Sequence, residues 1–386
     1  MKTFSLALIL ACCLAGSLLA QDAPDIRAPD IDTASPDGAL LAEAGISEDP
    51  AERQTIYEKF TGEFGESKYI GYVLLQLQGM AVTNQDHAKT VEYGEKLLTI
   101  VPNDLEVRHN INQALLGQQK WEELYPRLVE ARPIAATEST KAKPEDAEDD
   151  EDIEALWQGQ VDYAKGVTQW VEWATNTATV SQTDPAQQIA WMNRLKTDYP
   201  DSDYSKGLEP KYVAAYQAMG DQPKMLEAMK TALAAGYQDE VYLYTLSDAA
   251  MGANDNENAV MYAQQTIDLL ETKAAPAGVA PEAWEAHKAK FVAYSNFTIG
   301  RVHVSKNTKP AFREGRTALL KTVDILKAEG GVRYHVLAYY LGVCYVQLDI
   351  KGDNIKQALQ WMGVAAATEG PFKAQAAETI TKIKAI

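Results

Sequence analysis

Cysteine is nearly absent from this 386-residue chain: three are present, and two of them, Cys12 and Cys13, lie in the first apolar stretch. If that stretch is removed on export, Cys344 has no partner, no intramolecular disulfide forms, and the protein is held by packing alone. Basic charge is also short, with 36 Lys and Arg against 54 Asp and Glu and a net charge of −18. Such a surface repels phosphate backbones, and no basic stripe with interleaved aromatics offsets it, so nucleic acid is excluded as a partner. Beyond the N-terminus no run is long and apolar enough to cross a bilayer. No pair of alternating runs flanks a hairpin turn, which excludes an ordinary β architecture.

Catalytic and metal-binding groupings are missing as well. The five histidines, at 87, 109, 287, 303 and 335, are scattered and none has a second ligand at zinc spacing. The oxygen-rich stretches NDNEN (254–258) and DIKGDN (349–354) lack the distal Glu of a calcium loop and read as caps and turns. Neither a phosphate-cradling glycine loop nor a nucleophile elbow occurs. Cys344 falls inside a helical pattern with no adjacent basic group, so it reads as a buried, inert thiol. Asn296-Phe297-Thr298 is formally a glycosylation sequon but lies in a helical stretch. The expectation is a non-enzyme without metal or cofactor.

What is present begins with MKTFSLALILACCLAGSLLAQD, one lysine followed by an apolar run to Ala20. This order predicts a secretory signal over residues 1–20 and a periplasmic or secreted protein of bacterial origin. Ile9-Leu10-Ala11-Cys12 loosely matches a lipidation site, so the alternative is a lipoprotein anchored to the membrane through Cys12. Residues 21–49 are rich in Pro, Asp and Ala and predict a disordered tether. From Pro50 onward almost everything has helical period. An N-terminal block over 50–134 is followed by an acidic linker over 135–152; eight of the eleven residues from Pro144 to Glu154, just past its end, are acidic. A C-terminal block over 153–386 completes the chain.

Helices are predicted over 71–82, 87–100, 105–116 and 120–131, with NQDH and GQQK as short turns. Leu77 and Ile111 lie 34 residues apart, as do Leu97 and Ala131, Tyr212 and Leu246, and Met225 and Ala259. A helix pair repeating at this length predicts a helical solenoid, because one short amphipathic hairpin cannot bury its apolar face without a neighbour.

The stretch KTVEYGEKLLTIVPND resembles the second helix of a tetratricopeptide repeat (TPR) through Tyr93, Lys96-Leu97-Leu98 and the terminal Pro-Asn-Asp. YLGVCY resembles the first helix through Leu341, Gly342 and Tyr345. Repeat units fall at 71–104, 105–138, 206–239 and 240–273, with further ones near 153–201, 281–329 and 332–368 and a capping helix over 371–384. Gln78, Asn112, Val213 and Ser247 stand where the family has a small residue. The resemblance implies an all-α, right-handed α-solenoid whose first helices line a concave surface that grips a protein or peptide. Position by position, that surface would include Tyr72, Leu75, Thr83, His109, Asn110, Gln113 and Leu116, then Tyr244, Asp248 and Met251. Basic residues that would clamp a terminal carboxylate are missing around Asn110.

The functional expectation is a non-catalytic scaffold for a protein or peptide, touching a membrane only if Cys12 is lipidated. A second reading is a glycan or small-ligand binder, because Trp157, Trp170, Trp173 and Trp191 are candidates for a single cluster.

Overall fold

Aspartate precedes helix after helix in this chain, and its side chain performs the same local task each time. Asp86, Asp104, Asp184, Asp221, Asp239 and Asp255 each accept from a backbone N–H in the first turn of the following helix. These donors would otherwise lack partners. The computed structural model describes residues 26–148, 150–348 and 352–385, and all helices and turns below are among these.

The chain divides into two compact units, one ending at Leu208 and the other starting at Glu209. The first holds α1 (Pro36–Ile46), α2 (Pro50–Glu63), α3 (Ile70–Thr83), α4 (His87–Leu98), α5 (Leu105–Gly117), α6 (Trp121–Ser139), α7 (Glu151–Ser181), α8 (Pro185–Asp198) and the short α9 (Asp203–Lys206). The second holds α10 (Glu209–Met219), α11 (Gln222–Ala234), α12 (Glu240–Gly252), α13 (Asn256–Thr272), α14 (Pro281–Ser305), α15 (Lys309–Leu320), α16 (Val323–Glu329), α17 (Gly331–Leu348), α18 (Asp353–Ala367) and α19 (Lys373–Lys384). No strand occurs among the described residues, and successive helices pack as hairpins within each unit.

One turn joins the helices of four hairpins, α3–α4, α5–α6, α10–α11 and α12–α13. Gln85, Gln119, Gly220 and Asn254 take positive φ, and the residue after each donates its N–H to the carbonyl five positions back (Ala81, Leu115, Tyr216 and Ala250). This closes the preceding helix in a Schellman arrangement before the next cap begins. The left-handed residues Gln85 and Gln119 are separated by the repeat length, as are Gly220 and Asn254.

Leu77, Ile111, Leu97, Ala131, Leu246 and Ala259 are all buried as the repeat requires, while Tyr212 and Met225 are half-buried. Each large aliphatic chain so placed contributes about 1.5 to 3 kcal/mol. Gln78 and Ser247, standing where the family has small residues, are buried too. Gln78 Nε2 lies 3.4 Å from the Thr90 carbonyl and Ser247 Oγ donates to the Ala259 carbonyl at 2.8 Å, so each ties a first helix to its second. A Cβ on Gly94 would sit 2.5 Å from both Gln78 Nε2 and Ile111 Cγ1, so glycine there makes room for this arrangement.

Two parts of the organisation differ from the sequence reading. Residues 26–49 are not an extended tether. Ser35 caps α1, which buries Leu40, Leu41 and Ala44, and Ile26 is buried over Gly71, where a Cβ would lie 2.6 Å from its Cγ2. The Tyr69 hydroxyl accepts from the Asp32 N–H at 2.7 Å, and Arg27 forks onto Asp104 at 2.6 and 3.1 Å and onto Glu106 at 2.9 Å. A few well-spaced apolar residues are enough to fold the segment back, although its average composition is polar. Arg27→Ala is expected to cost about 1 to 2 kcal/mol. Hydrogen exchange should then show lost protection in α1 with α5 and α6 retained; unchanged α1 protection would refute the clamp.

The acidic segment likewise does not separate two blocks, since the boundary between units lies at Leu208 and Glu209. It connects α6 to α7, which pack along each other. A single 3-10 turn, Glu145–Glu148, buries Ala147, Trp157 Nε1 donates to the Lys141 carbonyl at 3.1 Å, and Lys143 pairs with Glu154 at 2.8 Å. Like-charge repulsion is offset because Asp150, Glu151 and Asp152 sit at the positive N-terminal end of α7, where anions are favoured. The signal predicted over residues 1–20 and Cys12 lie outside the described residues. Among the described residues no helix is long and apolar enough to cross a membrane.

Candidate functional site

The first helices of the hairpins carry the residues that the resemblance nominated, and the two units treat them differently. In the first unit Tyr72 is half-buried with its ring edge-on to Tyr57, centroids 6.5 Å apart, and Leu75 packs against the core. Thr83 bonds to the Gly79 carbonyl of its own helix, and Leu116 also joins the core. His109 is turned into the seam between α5 and α7. Its ring meets Trp170 edge-on at 4.6 Å and Tyr163 at 6.1 Å. Gln113 Nε2 lies 2.7 Å from His109 Nε2. The amide nitrogen donates there, which puts the ring proton on Nδ1. Desolvation lowers the His109 pKa to about 4, so the ring is neutral at ordinary pH. Asn110 is half-buried beside it.

The four tryptophans do not form one cluster. Trp170 and Trp173 are neighbours at 6.3 Å, but Trp191 is buried in a parallel stack on Tyr125 at 4.2 Å, and Trp157 is engaged by Lys141. Shared helical spacing placed Trp170 and Trp173 together, whereas α8 turns Trp191 toward α6.

In the second unit Tyr244 of α12 stands at the centre of an aromatic group that the sequence reading only touched. Its ring lies 5.5 Å from both Phe291 and Tyr294 of α14, and Arg333 of α17 donates to its hydroxyl at 3.1 Å. The same guanidinium lies 4.3 Å over the Tyr294 ring. Tyr294 donates to Glu329 at 2.6 Å, and Lys290 sits near both. Burial raises the Tyr244 pKa and Arg333 opposes that rise, so the hydroxyl stays protonated. Asp248, one turn on from Tyr244, is exposed, and Met251 is half-buried.

Next to this face is a buried charge. Glu240, 6 % exposed at the start of α12, accepts from Lys273 at 2.5 Å and lies 2.8 Å from His287 Nε2. Burial acts to raise its pKa, but the hydrogen bonds from Lys273, its own backbone N–H and His287 outweigh burial and lower it. His287 in turn stacks on Trp284 at 5.1 Å and touches Phe291 at 4.6 Å. Aromatic face and ion cluster are therefore continuous through Phe291.

Sequence reasoning named Tyr244 and Asp248 but missed Phe291, Tyr294, Arg333, Glu240 and His287. A signal existed. Tyr294 to Arg333 and Arg301 to Tyr340 share one offset of 39 residues and repeat after seven along each helix, but a search at the 34-residue period passes over it. Cys344 is fully buried and desolvation pushes its thiol up to about 12, which leaves it unreactive. Asn296 of the sequon is buried in α14. Among the described residues no group of three metal-ligating side chains occurs.

No family model matches the chain. No curated protein matches it either. Among solved structures, yeast Tom70 aligns over 92% of this chain and 89% of its own, at 10% identity and a TM-score of 0.24. The TPR domain of P58(IPK) aligns over 90% and 95%, at 11% identity and a TM-score of 0.23. Those superpositions are too loose to carry detail, and the architecture rests on the hairpins themselves. By its recurrent turn, its 34-residue period and its paired helices, this chain is an all-α helical-repeat protein built of TPR-like units.

Proposed function

We propose that the chain is a non-catalytic, exported scaffold that holds a protein or peptide partner on the concave, first-helix face of its repeats. One observation supports this above the rest: Tyr244, Phe291, Tyr294 and Arg333 come from three first helices and meet on one face. Rigid aromatics beside a guanidinium are the side chains on which binding energy concentrates, and a repeat array presents them along a line suited to an extended partner. The N-terminal apolar stretch supports export to a bacterial periplasm or to the cell exterior, with lipid anchoring at Cys12 as the alternative. Binding of the partner through the second unit rather than the first is supported by His109 being occupied with both Gln113 and Trp170.

A photo-crosslinking residue in place of Phe291, with a second protein carrying it at exposed Leu320, tests the reading in the source cell. A protein adduct from position 291, absent from position 320 and recovered in the exported fraction, is expected. No adduct at 291, or equal adducts at both, overturns the binding face; an adduct confined to the cytoplasm overturns export.

A further inference from the structure

His335 of α17 is fully buried, yet it holds a segment that belongs to no helix. After α18 ends at Ala367 the chain passes over α17 through Gly370, Pro371 and Phe372 before α19 begins at Lys373. The Phe372 N–H donates to His335 Nε2 at 3.1 Å, and the Phe372 ring lies parallel to Tyr339 at 4.2 Å and edge-on to Tyr340 at 5.7 Å. A Cβ on Gly370 would fall 2.3 Å from His335 Cδ2, so glycine lets the backbone press directly on the imidazole. Residues 368–372 thus form a strap that leads into α19. That helix is lightly held, with only Ala376 and Ile383 buried.

The strap needs a neutral ring. Nε2 accepts, which puts the ring proton on Nδ1, and Nδ1 is buried without a hydrogen-bond partner. A second proton has to go onto Nε2, where it would point at the Phe372 N–H. Little nearby compensates such a charge. Among the described residues no carboxylate lies within 4.0 Å of either ring nitrogen. Glu369 of the strap acts on the ring through space, but its side chain is 87% exposed and tied to Lys373, so water screens it. Arg301 of α14 and Arg316 of α15 lie over Tyr340 and Tyr345, five and ten residues along α17 from His335, and Arg333 of α17 itself lies over Tyr294. Glu329, ending α16, is taken by the Tyr294 hydroxyl, and residues 364–368 of the α18 end carry no charge.

We propose that His335 is an acid-released latch: on protonation the strap lifts, α19 undocks, and Tyr339 and Tyr340 are uncovered. The released imidazole, open to water, takes up a proton below about pH 6.5, whereas the latched one has no lone pair free to do so. Release is therefore coupled to proton uptake. The latch is complete above that pH, and release grows by up to about tenfold for each pH unit below it. Few apolar contacts of α19 oppose the opening. The uncovered rings belong to the α14–α17 face, because Arg301 over Tyr340 repeats the contact of Arg333 over Tyr294 seven residues along each helix, with the roles exchanged. Acid thereby lengthens the aromatic face proposed above, and this consequence alone rests on that reading.

Hydrogen exchange of the full-length protein at pH 7.5 and pH 5.0, normalised to the intrinsic rate at each pH, is the test. Peptides covering α19 are expected to lose protection about tenfold at pH 5.0, with those of α17 and α18 unchanged. His335→Gln, in which an amide oxygen accepts from Phe372 without titrating, should leave α19 equally protected at both pH values. Phe372→Ala, which keeps the histidine, should lower α19 protection already at pH 7.5. Equal protection of α19 at both pH values in the parent, or a loss that persists in His335→Gln, overturns the latch. Exchange in the parent decides even where His335→Gln fails to fold, because a loss spread equally over α17, α18 and α19 is unfolding of the unit and overturns it too. Absence of a protein adduct at position 291 would remove the functional consequence and leave the latch standing.

Discussion

Valine in place of Gly300 is expected to destabilise the second unit by about 3 kcal/mol, at the upper end of what overpacking costs. α14 and α15 approach here through two glycines. A Cβ at position 300 would lie 2.6 Å from Leu319 Cγ and 3.1 Å from the Gly315 carbonyl, and a Cβ at position 315 would lie 3.0 Å from the Gly300 carbonyl. The obstruction is partly backbone, and Leu319 is fully buried, so neither side can give way without moving a helix. Gly363, in α18 of the same unit, has no atom within 4 Å of its Cβ position. Alanine there should be stabilising by about 0.5 to 1 kcal/mol, since only the flexibility of glycine is removed. Urea denaturation followed by circular dichroism separates the two substitutions. A Gly300→Val protein as stable as the parent would mean that the two helices are further apart than described.

Acid is expected to loosen the first unit through His109. The ring has a folded-state pKa of about 4, below the value near 6.5 of an unfolded histidine. Between those values the unfolded chain binds a proton that the folded chain does not, so stability falls as pH drops from about 6.5 toward 4 and then levels. A shift of this size corresponds to about 3 kcal/mol. His109→Gln, which keeps a polar group near Gln113 without a titrating ring, should flatten this dependence at some cost in packing against Trp170. The check is stability measured at pH 7 and pH 4.5 for both proteins. An equal loss in the variant would assign the acid sensitivity to groups other than His109; Glu240 is not among them in this window, because its depressed pKa makes stability fall only below the ordinary glutamate range.

The helices were legible wherever apolar spacing and cap chemistry agreed. Leu77, Ile111, Leu97 and Ala131 marked the period, and Asp86 and Asp104 marked the starts, so the hairpins of α3 to α6 follow the sequence reading closely except at the end of α6. That helix runs on to Ser139 despite Pro126 and Pro133 because α7 packs along it, a tertiary gain that local propensity does not contain. Average composition was the weaker guide. It concealed Ile26 and Leu40 among prolines and aspartates, and it turned a charged connection into a linker. The binding face was half legible: Tyr244 and Asp248 came from matching positions to the repeat, while Arg333 and Tyr294 belong to units of unequal length and met only in three dimensions.

The left-handed turn residues Gln85, Gln119, Gly220 and Asn254 also bear on how the chain tolerates insertions and deletions. Each is fixed relative to the helix it ends and the one it begins, so a residue added inside a hairpin would rotate every later side chain by about 100° out of register. Added length is more readily accommodated in connections such as that between α6 and α7, which lie outside the turns that set the register of a hairpin. Growth of such a protein is therefore expected at its joints rather than within the hairpins closed by these four turns.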